Sequence, residues 1–161
     1  MNSPQETSLS ERLSARGPIR VAVVGAGTSG AMIIRHLMSR VVPALRLVAV
    51  ANRTVRRTAA LMETELGYPP AEVSTAHDLE LALERGVPAL CSDAELLCSS
   101  DKVEVVVEVT GTVEFGATVV CKAIQHHKHV VLVNAELDAT LGTAPQDLRR
   151  HPGRRVQPHR R

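Results

Sequence analysis

The stretch VAVVGAGTSGAMI, residues 21–33, constrains this chain more than any other. Gly25, Gly27 and Gly30 stand in GxGxxG spacing. A β-branched run leads into them, and apolar residues at helical spacing (Met32, Ile33, Leu37, Val41) lead away. The spacing alone is weak evidence, but between a strand and a helix it is informative. Gly25 permits a tight turn. Gly27 leaves no Cβ in the path of an approaching pyrophosphate. Gly30 lets the helix pack close to the strand. The first helical turn, with Thr28 and Ser29, offers free N–H groups and the positive end of the helix dipole. The expectation is a dinucleotide held at this turn. The alternative is a turn that is merely tight, with Ser29 an ordinary first-turn residue.

The rest of the chain repeats that unit. IRVAVVG (19–25), LRLVAVANR (45–53), KVEVVVEVTG (102–111) and HVVLVN (129–134) read as strands. They are continuous apolar runs, the pattern of strands buried on both faces. Helical stretches separate them: one from Thr28 stopped by Pro43, one over 54–67 ended by Gly67, and one over 113–128. Two short helices, within 72–86 and 91–100, read as a connecting segment. Alternation of this kind predicts an α/β fold, a Rossmann-like doubly wound parallel sheet. The expected domain spans 18–142, after a loose lead-in over 1–17.

The residues after the second strand bear on which dinucleotide is held. An acidic side chain there accepts bonds from a ribose 2′-OH and favours NAD. This chain has Asn52, Arg53 and Thr54 at the tip, with Arg56 and Arg57 behind, and no carboxylate. A guanidinium pairs a 2′-phosphate. The expectation is NADP, with NAD less preferred, and Arg53 is the sharper choice; Arg56 and Arg57 read better as solvated helix charges.

The third strand ends in EVTGT. Glu108, Thr110, Gly111 and Thr112 therefore lie at the carboxyl edge, where ligands bind in such sheets. Gly111 admits close backbone approach, and Thr112 is placed to cap the next helix. Asn134 and Glu136, after the fourth strand, are expected to face the same crevice.

Three blocks, VVGAGTSG, VVVEVTGTVEFGA and HKHVVLVNAELDATLG, resemble the N-terminal part of the deoxyxylulose-phosphate-reductoisomerase-like (DRL-like) oxidoreductases. That family shares its cofactor-domain pattern with the homoserine dehydrogenases. The resemblance covers about residues 18–142. It implies an NADPH-dependent reductoisomerase of 1-deoxy-D-xylulose 5-phosphate, feeding isoprenoid synthesis. In the family a catalytic domain, and commonly a SAF domain, follows. Homoserine dehydrogenases resemble HVVTANK at the fourth strand, where this chain carries Glu136. A carboxylate cannot act as an ammonium, which separates the chain from homoserine chemistry. Many DRL-like relatives look acidic after the second strand, and Asn52-Arg53 departs from them too. A homoserine-dehydrogenase-like fragment and a non-catalytic NADP-binding module are the alternatives.

Charge and cysteines exclude other classes. Of 19 basic and 17 acidic side chains, residues 143–161 hold six Arg and one Asp. The rest carries thirteen basic and sixteen acidic groups, a formal −3. The body is mildly acidic, which argues against nucleic acid; only the Arg-rich tail offers that alternative. No apolar run reaches the length of a membrane span. Cys91, Cys98 and Cys121 form no CxxC pair and read as reduced thiols of a cytoplasmic protein, with Cys121 packed inward. His126, His127 and His129 suit a helix C-terminus better than a metal. His77 and Asp78 read as cap or surface residues.

From Thr143 onward the α/β pattern stops. Back-translation of 143–161 with permitted codons, read one base later, gives PLLKTYADTPGVVYSPTDG, which resumes a helix, a Pro-Gly turn and a strand. The codons were chosen for this, so the result is compatibility. The expectation is out-of-frame translation after Gly142, a sheet incomplete on its C-terminal side, and association of copies through the exposed HVVLVN edge. Genomic DNA across codon 142 is expected to show an open frame in the shifted register; a stop with no such frame refutes this reading.

Overall fold

The computed structural model describes residues 16–136. The lead-in before Arg16, and every expectation placed on residues 137–161, lie outside the described residues.

Six strands form one parallel sheet: β1 (Ile19–Val24), β2 (Leu45–Ala51), β3 (Ala71–Glu72), β4 (Ala89–Cys91), β5 (Val105–Glu108) and β6 (His129–Leu132). Their order is β3-β4-β2-β1-β5-β6. The chain winds outward from β1 through β2, then returns to the other side of β1 with β5 and β6. The reversal falls between β1 and β5, which pair from Val21–Val105 to Val24–Glu108. A crevice opens beyond the strand ends at such a reversal.

Helices cover both faces: α1 (Thr28–Met38), α2 (Val55–Leu66), α3 (Ala76–Glu84), α4 (Ala94–Ser99) and α5 (Val113–Gln125). Val21 and Val23 pack with Ile34 of α1 and Met62 of α2. Ala22 and Val24, on the opposite pleat, pack with Leu79, Leu97 and Val119 of the other three helices. Both faces of β1 are thus core, which is why the strand reads as an unbroken apolar run. The core is aliphatic, and each fully buried Val, Leu or Ile contributes about 1.5–3 kcal/mol.

Several boundaries differ from the sequence reading. Helix α1 stops at Met38, five residues before Pro43. Arg40 at φ 55 turns the backbone left-handed and breaks the helix earlier. The third expected strand, β5, keeps only Val105–Glu108, because Lys102 lies in a turn and Val103 N–H bonds back to the Ser100 carbonyl. Strands β3 and β4 were not expected. They are two and three residues long, too short for periodicity to register. Cys121 is exposed, contrary to expectation: the inward stripe of α5 runs through Gly116, Val119, Val120 and Ala123. Cys91 and Cys98 are the buried thiols, and burial pushes each up to about 11. All three cysteines are free.

Glu104 ties β1 to β5 at the amino edge. Its carboxylate accepts from the Arg20 backbone N–H at 3.0 Å and from Arg20 Nε at 3.1 Å, and also pairs with Arg16. Burial works to raise this carboxyl, but the bonds from Arg20 and the charges of Arg16 and Arg20 outweigh it and hold it below the usual carboxylate range. A lowered folded value adds stability above the unfolded range, and that stability is lost as pH falls through the folded value. Glu104→Gln is expected to cost about 1 kcal/mol at neutral pH. In urea titrations across pH the deficit should shrink as pH drops below the carboxylate range; a constant deficit would refute the assignment.

Candidate functional site: a cleft at the carboxyl edge

A cleft of about 640 Å³ lies over the carboxyl ends of the strands. Its floor is the β1 turn, Val24 to Gly27. Ala51, Asn52 and Arg53 come from the end of β2, Ser92 and Ala94 from the end of β4, and Thr110, Thr112, Glu114 and Phe115 from beyond β5. Two other depressions, of about 490 and 400 Å³, sit at the amino edge around Arg46 and Gly86 and contain none of the motif residues.

The three glycines of the turn meet different surroundings. A Cβ on Gly30 would lie 2.2 Å from the Gly25 carbonyl oxygen. Gly30 is therefore the contact by which α1 closes onto β1. Gly25 sits at φ +105, and a Cβ there would lie 2.9 Å from the Val109 carbonyl oxygen. Gly27 has nothing within 4 Å of its Cβ position. The space beside it is open, and it faces the cleft. Gly27 is also the N-cap of α1, with no side-chain cap and no acidic residue in the first turn. The N-terminal N–H groups of a helix need partners from outside it. Thr28 and Ser29 are exposed in that turn but do not wall the cleft.

At the β2 tip, Asn52 donates from Nδ2 to Thr58 Oγ1 at 2.8 Å. Thr58 Oγ1 in turn bonds the Thr54 carbonyl at 3.1 Å. The Asn52 backbone N–H bonds the Cys91 carbonyl. Asn52 thus fixes the loop and leaves Arg53 exposed beside the cleft. Among the described residues Arg53 makes no ion pair. Thr54 is the N-cap of α2, exposed, with no capping bond. Arg56 and Arg57 occupy the first turn of α2, where the helix dipole disfavours cations.

The turn after β5 is shaped by Glu108. This side chain is fully buried. Its Oε1 accepts the Thr110 backbone N–H at 2.8 Å and the Thr110 hydroxyl. Its Oε2 is buried with no partner among the described residues. Gly111 takes φ +75, left-handed, as the chain turns into α5. Thr112 is the N-cap of α5, its side chain makes no capping bond, and the residue lines the cleft. Asn134 is buried just past β6, Glu136 is exposed, and neither walls the cleft.

Of the expected residues, the cleft gathers Gly25, Gly27, Asn52, Arg53, Thr110 and Thr112. Gly30 and Glu108 support it from beneath. Ser92, Ala94, Glu114 and Phe115 line it and were not anticipated. The first two were hidden because β4 was not read as a strand. Phe115 carried a signal, as the sole Phe of the chain. His77 and Asp78 open α3, where Thr75 Oγ1 accepts the Asp78 N–H at 3.1 Å. Among the described residues no three His, Cys, Asp or Glu groups gather as a metal site. No described helix is long and apolar enough to cross a membrane.

This is the geometry of a dinucleotide turn: two glycines consumed by packing, one facing open space at an uncapped helix start. A family model described as "Homoserine dehydrogenase, NAD binding domain" matches residues 25–156. The chain belongs to that family. It is an NAD(P)-binding oxidoreductase domain. No curated protein matches it. Among solved structures, a homoserine dehydrogenase from Thiobacillus denitrificans is 24% identical, with TM-score 0.58, over 83% of this chain and 27% of that one. Biliverdin reductase from Synechocystis sp. PCC 6803, solved with biliverdin and NADP+, is 21% identical, with TM-score 0.57, over 83% of this chain and 35% of that one. Myo-inositol dehydrogenase from Lactobacillus casei, solved with NAD(H) and myo-inositol, is 19% identical, with TM-score 0.55, over 86% of this chain and 35% of that one. At these identities the likenesses carry the fold alone. The chain spans about a third or less of each.

The glycine geometry predicts a divided response to adding a methyl group. Gly30→Ala is expected to cost about 2–3 kcal/mol, since backbone must move to admit the Cβ. Gly27→Ala should melt within a degree or two of the parent. Thermal melts that rank the two variants the other way would contradict the placement of α1.

Proposed function

We propose that the cleft holds NADP(H) in preference to NAD(H). The observation that carries this is the β2 tip: Arg53 is exposed beside the cleft, and no carboxylate stands at that tip. Arg53 supplies a charge-assisted pair to a 2′-phosphate. Thr54, Arg56 and Arg57 start α2 without an acidic residue in the first turn, which favours an anion at the same point. Among the described residues the acidic side chain on the cleft wall is Glu114, which belongs to α5 and not to the β2 tip.

The residues fit the cofactor in its other parts. Gly27 leaves room for the pyrophosphate, and the first N–H groups of α1 donate to it. Thr112 offers its hydroxyl to the cofactor, and Thr110, whose hydroxyl donates to Glu108, keeps only acceptor lone pairs for it. Glu108 holds Thr110 in place by taking both its N–H and its hydroxyl. When bound, NADPH supplies a hydride. The wall residues orient the cofactor and exclude water from one side of it. Turnover also requires residues that hold a substrate against the nicotinamide.

For the whole reaction we favour the DRL-like reading, NADPH-dependent reductoisomerisation of 1-deoxy-D-xylulose 5-phosphate. It rests on the EVTGT and NAELDATLG blocks and on the absence of a lysine after Asn134, where Ala135-Glu136 follow and homoserine dehydrogenases resemble NK. The family match favours a second reading, a homoserine-dehydrogenase-like oxidoreductase.

Calorimetric titration is expected to show NADPH binding at least tenfold tighter than NADH, since a charge-assisted bond contributes about 1.5–3 kcal/mol. Arg53→Asp should reverse the order. Equal affinities in the parent protein would sink the NADP assignment. Gly27→Val should abolish binding of both cofactors in a folded protein; binding that survives would make the turn a structural one only.

A further inference from the structure

The exposed large apolar side chains among the described residues are Met32, Val41, Val42, Tyr68, Phe115, Val131 and Val133. Only Phe115 lines the carboxyl-edge cleft. It is 48% exposed. The chain has a single Phe, a single Tyr and no Trp, and its buried core is aliphatic. An aromatic ring buries a large area and fixes few torsions. This chain places its only Phe at the mouth of a cleft instead of in the core.

The helix around Phe115 explains how the ring is presented. Gly116, Val119, Val120 and Ala123 face the sheet. Phe115 and Glu114 lie off that stripe and wall the cleft. Helix α5 runs beside α4: Lys122 Nζ meets Glu95 at 2.6 Å, and Cys98 Sγ lies 3.9 Å from the Val119 carbonyl. These contacts join α4 to the second half of α5, while Ala94 of α4 and Glu114 and Phe115 of the first α5 turn all line the cleft. Ala94 and Ser92 follow β4, which lies beyond β2 in the sheet. Ser92, Ala94 and Phe115 line the same cleft as Asn52 and Arg53 of the β2 tip. On the reading above, the β2 tip receives the adenosine 2′-phosphate.

We infer that Phe115 stacks on the adenine ring of the bound dinucleotide. The inference rests on the proposal that the cleft holds NADP(H). Arg53 and Phe115 then grip the same nucleoside, one by its phosphate and one by its base. Base–aromatic stacking is indifferent to the substituents on the ribose. Phe115 therefore adds affinity for NADPH and NADH alike, while Arg53 separates them.

The test uses the full 161-residue chain with NADPH, 2′,5′-ADP and nicotinamide mononucleotide as probes. Phe115→Ala is expected to weaken NADPH and 2′,5′-ADP each by about tenfold, and NADH by the same factor. Nicotinamide mononucleotide should be unaffected. Phe115→Tyr should restore affinity. Melting temperature should hold in each variant, since the side chain is half exposed. Phe115→Trp creates the only Trp of the chain, and its fluorescence should be quenched by 2′,5′-ADP. If the parent binds NADPH and Phe115→Ala binds it equally well, the stacking is refuted and the cofactor reading stands. A loss confined to nicotinamide mononucleotide puts the ring at the other end and also refutes it. A folded parent that binds neither NADPH nor NADH overturns both.

Discussion

The contact between Gly30 and the Gly25 carbonyl sets the position of everything around the cleft. With 2.2 Å between a would-be Cβ and that oxygen, no side chain larger than hydrogen fits. The closeness brings the start of α1 over the end of β1. It sets the first turn of α1, whose N–H groups need partners from outside the helix, beside the crevice where the winding of the sheet reverses. Gly25 is pinned in the same way from below by the Val109 carbonyl. The turn is thus clamped between its own helix and the strand next door. Gly27 alone is left facing open space.

The second half of the site depends on a different device. Glu108 places a carboxylate inside the sheet edge, where an unpaired charge is costly. Part of that cost is offset by two bonds from Thr110 to a single oxygen. They fold the chain back over the strand end and fix the turn that Gly111 completes. A buried polar side chain that rigidifies a binding loop fits a site in which position matters more than stability. Asn52 does the same on the other flank, by bonding Thr58 and Cys91. Arg53 and Thr112, close by in the chain, line the cleft.

Much of this was legible in the sequence. The glycine spacing, the four continuous apolar runs and the helical spacing between them specify a parallel sheet, because each is a local signal repeated along the chain. Strands β3 and β4 were not legible. Ala89-Leu90-Cys91 carries too few residues for a period, and its burial comes from its neighbours in the sheet. That single omission hid Ser92 and Ala94 from the site. The end of α1 was misread because Pro43 is a strong stop, while Arg40 terminates the helix by a backbone torsion that no residue type announces. Cys121 was misassigned by one position on the helical wheel. The direction of the Asn52 side chain, inward to Thr58, depends on tertiary placement of α2 and leaves no trace in spacing.

The central claim is that the turn at Gly25–Gly30 and the turn at Thr110–Thr112 grip one dinucleotide between them. Amide chemical shifts recorded during NADPH titration test it most directly. The account predicts the largest changes at Ala26 to Gly30 and at Thr110 to Thr112, saturating with one common affinity. Changes confined to the amino edge around Arg20, Arg46 and Gly86, or no saturable change at all, would contradict it.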